Sequence, residues 1–530
     1  MTAFGDYEIG IADDLINAAL AVDEKVTAPA QFTRQGKTSQ WIQAEKRMLR
    51  GERTRYRAFI KPYRGARRMR WNTSATSESP VPMSPGWTEL SYDWSDLVDI
   101  RGTVKWNMKQ DLKHSSDVRL SVMQLVENIF SQAELDVVQV MNDGIMQPYT
   151  CAIAKVGQIY NIDGATFSGA AVHTPAFIQV VGGSSSNFEK GDVLDIYDSD
   201  GSTFKIRIYV HGVIHGENGP WSGGEREEGI GPGILAEPCN ADGSGTGVGG
   251  SCTTAWNTVA VPDANGDFLA RSGEFDTTTT TAKNFHGLPD WFDTTVDCLA
   301  DGDGTAIDRE ATGNEWMNPL VIIPDGASAG SEVEFSVSTH LSELARSWYV
   351  QVQSGRRDRA KNGRSLGTGM PGGKAQGIAI SEHLVAICEP QMLEHITENA
   401  GDSQRFTHAS LLNEAAAKAL QLIGVSGYEG YVWHSPQLGE VAFHADTNCT
   451  PHTIYFIEPS SFFWIQEPGG QRLGWISNGS AGRVWGVVGD TLKTPTYTRQ
   501  AACHVALGLK NDQPQANAVV KHVCTAAEAA

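Results

Sequence analysis

Several short patterns in the chain carry residue types that could do chemistry. Gly326-Ala327-Ser328-Ala329-Gly330 fits G-x-S-x-G, the spacing that presents a serine nucleophile on a strand–turn–helix. Leu320–Ile323 supplies a strand before it, but Glu332–Val337 (EVEFSV) also reads as strand, so the pattern predicts a plain hairpin turn. Gly245-Thr246-Gly247-Val248-Gly249-Gly250 fits G-x-G-x-x-G, yet Cys252-Thr253-Thr254 follows in place of a helix that could receive a pyrophosphate. Asp263, Asn265 and Asp267 alternate as calcium ligands do, and so do Asp301, Asp303 and Asp308. Neither set completes the calcium loop with its central Gly and closing Glu, so both read as acidic surface loops. The 14 histidines contain no H-E-x-x-H and no close pair suited to zinc, and His340, His383 and His434 read as packed or surface residues. Carboxylate pairs such as Glu332/Glu334 and Asp96/Asp99 occur, with nothing to mark either as catalytic. The expectation is no catalytic residue, no metal, no cofactor and no enzymatic activity.

The eight cysteines include no C-x-x-C pair. Cys239 and Cys252 flank the Gly-rich loop and are open to pairing; the other reading is buried free thiols in a reducing cytosol.

The charge is unevenly spread. The 530 residues carry a net charge of −20, with 42 Lys+Arg and 62 Asp+Glu. From Arg34 to Arg70 there are 13 Lys/Arg against the acids Glu45 and Glu52, a net +11 that leaves −31 for the rest. Arg53, Arg55, Arg57, Arg64, Arg67, Arg68 and Arg70, with Trp71 and Trp87, are therefore the candidate contact residues. Basic residues interleaved with Tyr56, Phe59, Tyr63 and Trp71 suit single-stranded nucleic acid. They equally suit pairing with acids of a neighbouring copy, and the acidic remainder favours that second reading. The overall charge argues against wrapping nucleic acid or coating an anionic membrane. No apolar run is long enough for a membrane helix. Met1–Gly10 carries Asp6 and Glu8 and no basic stretch, so neither a secretory signal nor processing is expected there.

These residues need elements to position them. Asp13–Val22 and Trp41–Leu49 read as short helices in an arm that must lie on something. Arg53–Ile60 (RTRYRAFI) alternates as a strand, residues 72–86 form a Ser/Pro/Thr-rich tip, and Trp87–Ile100 resumes an extended pattern. Residues 51–101 thus read as a two-stranded arm, too small to be stable without a surface to pack on. Val118, Val122, Leu125, Ile129, Ala133, Val137 and Val140 recur at helical spacing, capped by Ser115 or Ser116 and stopped at Asn142-Asp143-Gly144. Residues 150–260 read as β-rich, with a hairpin Asp192–Tyr197/Thr203–Val210, and residues 264–318 as irregular and acidic. Thr339–Ser354 predicts a second long helix, Gln391–Glu398 and Leu411–Ile423 shorter ones. Short strands follow to Arg483–Val488, then Tyr497–Leu509 and Ala518–Val523 around the turn Asn511-Asp512-Gln513-Pro514.

This order resembles the major capsid protein of tailed bacteriophages, with its Hong Kong 97-type fold. Tyr92–Gly102 (YDWSDLVDIRG) is similar to the segment leaving that family's E-loop, and Ser116–Gly144 to its spine helix. Thr339–Ser354 with His383–Glu398 resembles the second helix and the start of the A domain. Gly430–Ile457 and Ala501–Val523 resemble the A-domain strands and the return to the P domain. The resemblance implies an α+β chain: N-terminal arm 1–50, E-loop 51–105, P-domain spine helix 106–149, inserted β-rich domain 150–260, P-domain remainder with the second helix 261–375, A domain 376–482, and return to the P domain with the C-terminus 483–530. It implies self-assembly into pentamers and hexamers of an icosahedral head in the virion, built in the host cytoplasm and enclosing double-stranded DNA without sequence-specific binding. Partners would be other copies of the chain, a separate scaffolding protein, a portal and a decoration protein, with no membrane. Some family members cross-link through an E-loop lysine; the tip 72–86 has no Lys, so no such cross-link is expected. Two other readings remain: a β-rich carbohydrate-active enzyme or lectin, suggested by 14 Trp and Gly-rich loops, and a nanocompartment shell of the same fold.

Overall fold

The computed structural model describes residues 47–48, 52–59, 87–107, 137, 139–161, 175–199, 201–215, 221–222, 225–226, 232–240, 266–277, 282–312, 314, 317–328, 331–337, 339–347, 384–399, 430–435, 439–458, 461–466, 474–475, 486–487 and 498–525. Among these residues it is a mixed, strand-rich fold with few helices.

Continuous apolar runs make the first sheet. Its six strands run Leu320–Ile322, Ala518–Lys521, Thr453–Ile457, Leu384–Cys388, Gly439–Ala445, Gly430–Ser435. Because side chains alternate across a strand, such a run fills both faces. Val385, Ile387, Tyr455, Ile457 and Val519 enter one core, and Ala386, Cys388, Ile454, Phe456, Ala518 and Val520 enter a second. Met392, Leu393 and Ile396 of helix Pro390–Asn399 close the second core together with Leu341 and Leu344. The last two lie in helical backbone at 339–347, inside the expected Thr339–Ser354 helix, whose end falls outside the described residues.

The second sheet is organised by one strand, Thr498–Asn511. It pairs antiparallel with Val98–Asn107, from Thr498↔Asn107 to Leu507↔Val98. On its other side Gly486–Val487, Gly474–Trp475 and Phe462–Gln466 pair in succession. Arg47–Met48 adds in parallel at Ile465 and Gln466. These two residues lie in the predicted Trp41–Leu49 helix and are strand instead. A short isolated helix is marginal, while a sheet edge offers unpaired backbone groups to any extended segment. The strand continues past Leu509 to Asn511 and does not form a hairpin with Ala518–Lys521; the two belong to different sheets.

The arm is a ribbon. Arg53–Phe59 pairs with Trp87–Asp93, from Arg53↔Asp93 to Phe59↔Trp87, and Ala300–Asp301 adds a third strand. The extended pattern expected through Ile100 is broken by a single 3-10 turn, Trp94–Asp96. Asp93 and Asp96 form a reciprocal capping box there, which makes the turn locally stable. Residues 60–86, including the tip, lie outside the described residues.

Six strands close a barrel in the order Gly233–Pro238, Ala176–Val181, Ala154–Asn161, Phe268–Arg271, Val193–Tyr197, Phe204–Ile214. Its core is aliphatic, with Ile178, Leu194, Ile196, Ile206, Ile208 and Ile234 fully buried. The strand that closes it, Phe268–Arg271, comes after position 260. Closure leaves the barrel no free sheet edge among these strands.

Residues 284–318 carry an acidic sequence but form a packed plug. Phe285, Leu288, Trp291, Phe292, Cys298 and Leu299 join the first core. Arg309, fully buried, donates to the carbonyls of Asp290, Trp291, Asp293 and Val296 and to Asn318 Oδ1. One guanidinium thus satisfies the carbonyls of an otherwise irregular loop. Asn284 Nδ2 donates to the carbonyls of Gly144, Gln147 and Pro148. That cap explains why helical backbone runs through 146 rather than stopping at the expected Asn142-Asp143-Gly144. The earlier part of the Ser116–Gly144 helix lies outside the described residues.

Asp143, at the end of this helix, accepts from Asn448 Nδ2 at 2.5 Å. Burial pushes its carboxyl up to about 6, with Asp446 and Glu189 adding to the rise and Arg271 opposing it. A carboxyl raised in the folded state stabilises the fold fully below the unfolded value, near 3.8, and that contribution is lost as pH rises through about 6. Asp143→Asn keeps an acceptor for Asn448 and cannot ionise. It should therefore unfold at higher urea than the natural protein at pH 7, by up to roughly 3 kcal/mol, with the gap closing near pH 4. Equal pH dependence of the two proteins would contradict this.

Candidate assembly site at the base of the arm

The arm leaves the body at a buried polar joint. Thr453–Ile457 of the first sheet passes to Phe462–Gln466 of the second, and Thr498–Asn511 of the second passes back to Ala518–Lys521 of the first. The two crossings hold each other. Glu458 N donates to Asn517 Oδ1 at 2.8 Å, and Asp512 N donates to Ser461 O at 3.0 Å. Asn517 Nδ2 donates to Ser461 Oγ and to the carbonyls of Gln513 and Pro514. Lys510, Asn511, Asp512, Gln513, Gln515 and Asn517 are all buried, so these bonds are formed out of water, where a lost partner is costly.

Three ties bring the arm to this joint. Lys510 Nζ lies 2.6 Å from Asp96 Oδ1 and also donates to Cys298 O at 3.1 Å. Tyr56 OH donates to Asn511 O at 3.5 Å, and the rings of Tyr56, Tyr92 and Phe463 pack together with centroids 5.2–6.1 Å apart. Gly508 provides the close approach: a Cβ there would stand 2.1 Å from Asp96 O. Asp96 accepts from Asp93 N and Asp93 accepts from Ser95 N, so the turn is braced on both sides. Asp93's carboxyl lies below its usual range: burial opposes this, and the Ser95 hydrogen bonds and the Arg53 and Lys510 charges outweigh it.

Of the arm residues singled out in the sequence, Arg53 and Arg55 stand at this base. Arg53 faces Asp93 at 3.6 Å and donates to Asp303 O. Arg55 faces Asp303 Oδ1 at 2.8 Å and Glu89 at 3.7 Å. Both arginines thus meet acids of their own chain, in exposed pairs worth about 0–1 kcal/mol each. Arg57 pairs through its backbone with Glu89, and Trp87 with Phe59. Arg64, Arg67, Arg68, Arg70 and Trp71 lie outside the described residues. The turn below the arginines uses Gly304 at φ 88°, where a Cβ would meet the Arg53 guanidinium.

The other patterns resolve structurally. Asp301 Oδ1 accepts from Asp303 N and Thr305 N, and Asp308 Oδ1 from Glu310 N and Ala311 N, so both are turn-forming acids. Asp267 is buried against Lys205 at 2.8 Å. Ser328 and Ser331 exchange backbone hydrogen bonds in an isolated bridge, while the flanking strands Leu320–Ile322 and Val333–Glu334 pair with Ala518–Lys521 and Val523–Cys524 rather than with each other in the expected hairpin. Cys239 is buried, and Cys252 lies outside the described residues. The Gly245–Gly250 loop lies outside the described residues. Among the described residues no group of His, Cys, Asp and Glu is placed to hold a metal, and no helix is long and apolar enough to cross a membrane.

One constellation escaped the sequence. His286 Nδ1 lies 3.2 Å from Asp290 Oδ2, beside the Cys298 thiol, with Arg309 Nη1 3.7 Å from that sulfur. These are the residue types of an activated thiol. Cys298 is 1% exposed and its thiol lies 3.4 Å from Asp290 O, to which it donates, so the group works as a strut inside the plug. The joint itself left two traces that could have found it: Gly508 interrupting and Lys510 ending the apolar run Val505–Leu509, and the Asp93-x-x-Asp96 capping spacing.

No protein-family model matches the chain, and no curated protein matches it. Among solved structures it is similar to the cyanophage A-1(L) capsid, at 10% identity and TM-score 0.37, covering 92% of this chain and 93% of that one. It is similar to the capsid of Ralstonia phage GP4, at 9% identity and TM-score 0.37, covering 91% and 88%. It is also similar to the cyanophage Pam1 capsid, at 8% identity and TM-score 0.34, covering 93% of each.

Removing one member of the buried ion pair tests the joint. Lys510→Met should lower stability by on the order of 3 kcal/mol, because Asp96 keeps its charge without a partner. Asp96→Leu on that background should recover part of the loss. Urea unfolding of the two variants measures both, and a Lys510→Met protein as stable as the natural one contradicts the assignment.

Proposed function

We propose that this chain is the major capsid protein of a tailed bacteriophage with a Hong Kong 97-type fold, and that its work is assembly rather than catalysis. The observation that carries the reading is the braced arm. A ribbon with a net-basic sequence is anchored at one end by Lys510 and Asn511, at the end of Thr498–Asn511 where the chain leaves the second sheet for the first. The base of the ribbon packs on its own body through Tyr56, Leu90 and Tyr92, and the rest of the arm's sequence needs a further surface to lie on. The split of +11 against −31 makes the body of another copy that surface. Complementary charge of this kind orients the encounter more than it raises affinity. The arm is then the E-loop, the strands from Leu384 to Ile457 belong to the A domain, Leu320–Ile322 and Ala518–Lys521 to the P domain, and the barrel is an insertion. Copies would form pentamers and hexamers of a head enclosing DNA, with scaffolding, portal and decoration proteins as separate partners.

Purified protein, alone and with a crowding agent, should form rings, tubes or closed shells by negative-stain microscopy. Sedimentation should show species far above 57.3 kDa. A monomer at every concentration and salt would contradict the reading.

A further inference from the structure

We propose that the barrel is a separately stable module, carried on a two-chain stem, and that neither the fold of the two sheets nor their assembly needs it. The clause about assembly rests on the reading above; the separate stability follows from packing and connection. The barrel has a core of its own. Ile153, Val156, Ile178, Phe188, Ile206 and Leu269 belong to it, and it shares no member with the two cores of the sheets. Its strands pair only with one another, so neither sheet of the body extends it. A segment with its own core and few crossing contacts has what a domain needs to fold alone.

The two ends of the segment meet. Ile153 N donates to Leu269 O at 2.8 Å and Val156 N to Asp267 O at 2.7 Å, between the first and last strands of the barrel. Outside the barrel, Asp276 N donates to Thr150 O and Tyr149 OH to Thr277 O, so the outgoing and returning chains also bond each other. Each chain turns at a residue of positive φ, Cys151 at 60° and Gly273 at 77°. A segment that leaves and returns at one point can open while the body stays closed. Its ends are already held together, and closing a long loop costs little more than closing a shorter one.

The body secures its side of the stem with its own groups. Asn284 Nδ2 caps the carbonyls of Gly144, Gln147 and Pro148, and Asp290 Oδ2 accepts from Tyr149 N at 2.7 Å. Gly287 permits this approach, since a Cβ there would stand 2.1 Å from Gln147 O. The helix end therefore stays capped whether the barrel is folded or open. At Asp143 of that helix end, the barrel presents Arg271 and Glu189. One attraction beside one repulsion leaves little net hold between the two bodies.

Native-state hydrogen exchange of the full-length, unassembled protein reads both bodies at once. Ile196→Ala, in the barrel core, should speed exchange of the Ile206–Val210 amides by about tenfold or more. It should leave the Val385–Ile387 and Tyr455–Ile457 amides unchanged, and Lys510→Met should do the reverse. Acceleration of both sets by either variant overturns the separate module. A second variant replaces residues 153–271 with a short glycine linker. It should keep the slow amides of both sheets and sediment as assembled species at the same concentration as the natural protein. Loss of protection in the sheets overturns the module, and a protected body that no longer assembles overturns its dispensability. Failure of the natural protein to assemble overturns the assembly reading instead and leaves the exchange result standing.

Discussion

Two chain crossings, hydrogen-bonded to each other out of water, are the constraint on which the described structure depends. Glu458, Ser461 and residues 511–517 stand where the chain leaves one sheet for the other, and burial there leaves carbonyls and amides that no ladder satisfies. Asn517 answers for three of them at once, accepting from Glu458 N and donating to the carbonyls of Gln513 and Pro514, and it also donates to Ser461 Oγ. With the crossings fixed, the registers of both sheets follow. Thr498–Asn511 then carries Val98–Asn107 on one side and Phe462–Gln466 on the other, and Ala518–Lys521 opens the first sheet to Leu320–Ile322.

The Lys510–Asp96 pair extends this constraint to the arm. Burying two charges is not in itself a strong source of stability, since desolvation offsets most of the attraction. Its value is in geometry: a charge that must find its one partner permits one seating of the arm's base. The plug completes the arrangement, because Cys298 O accepts from Lys510 while Arg309 and Asn284 fasten the plug to itself and to the helix end. The arm's origin is therefore stiff. Under the proposed assembly, that stiffness means that docking spends little conformational entropy.

Much of this was legible in the residue pattern, and the exceptions have physical reasons. The apolar runs at Thr453–Ile457 and Ala518–Lys521 announce strands buried on both faces, and the alternation at Arg53–Phe59 announces a ribbon. The plug at 284–318 was misread because its acids suit a surface loop. Asp301 and Asp308 form turns, while Asp290, Trp291, Phe292 and Arg309 go inward. The strand at Arg47–Met48 depends on an edge that only the folded body offers, so no local pattern reveals it. The joint is the hardest case. Its polar residues are ordinary turn formers in sequence, and only the folded chain shows that they are buried, with Asn517 bonded to both crossings. Of the candidate site residues, Arg53 and Arg55 reach the arm's base, as their strand alternation implied. Their in-chain partners Glu89, Asp93 and Asp303 come from pairings that spacing alone does not specify.

The claim that the arm's base and the crossings form one cooperative unit has a direct measurement in native-state hydrogen exchange of the unassembled protein. The account predicts that amides of the Asp93–Val98 segment and of the Leu507–Asn517 segment open with the same free energy, at or near that of global unfolding, and that Lys510→Met lowers both together. Exchange of the arm's base far faster than the crossings, with Lys510→Met affecting one and not the other, would contradict it.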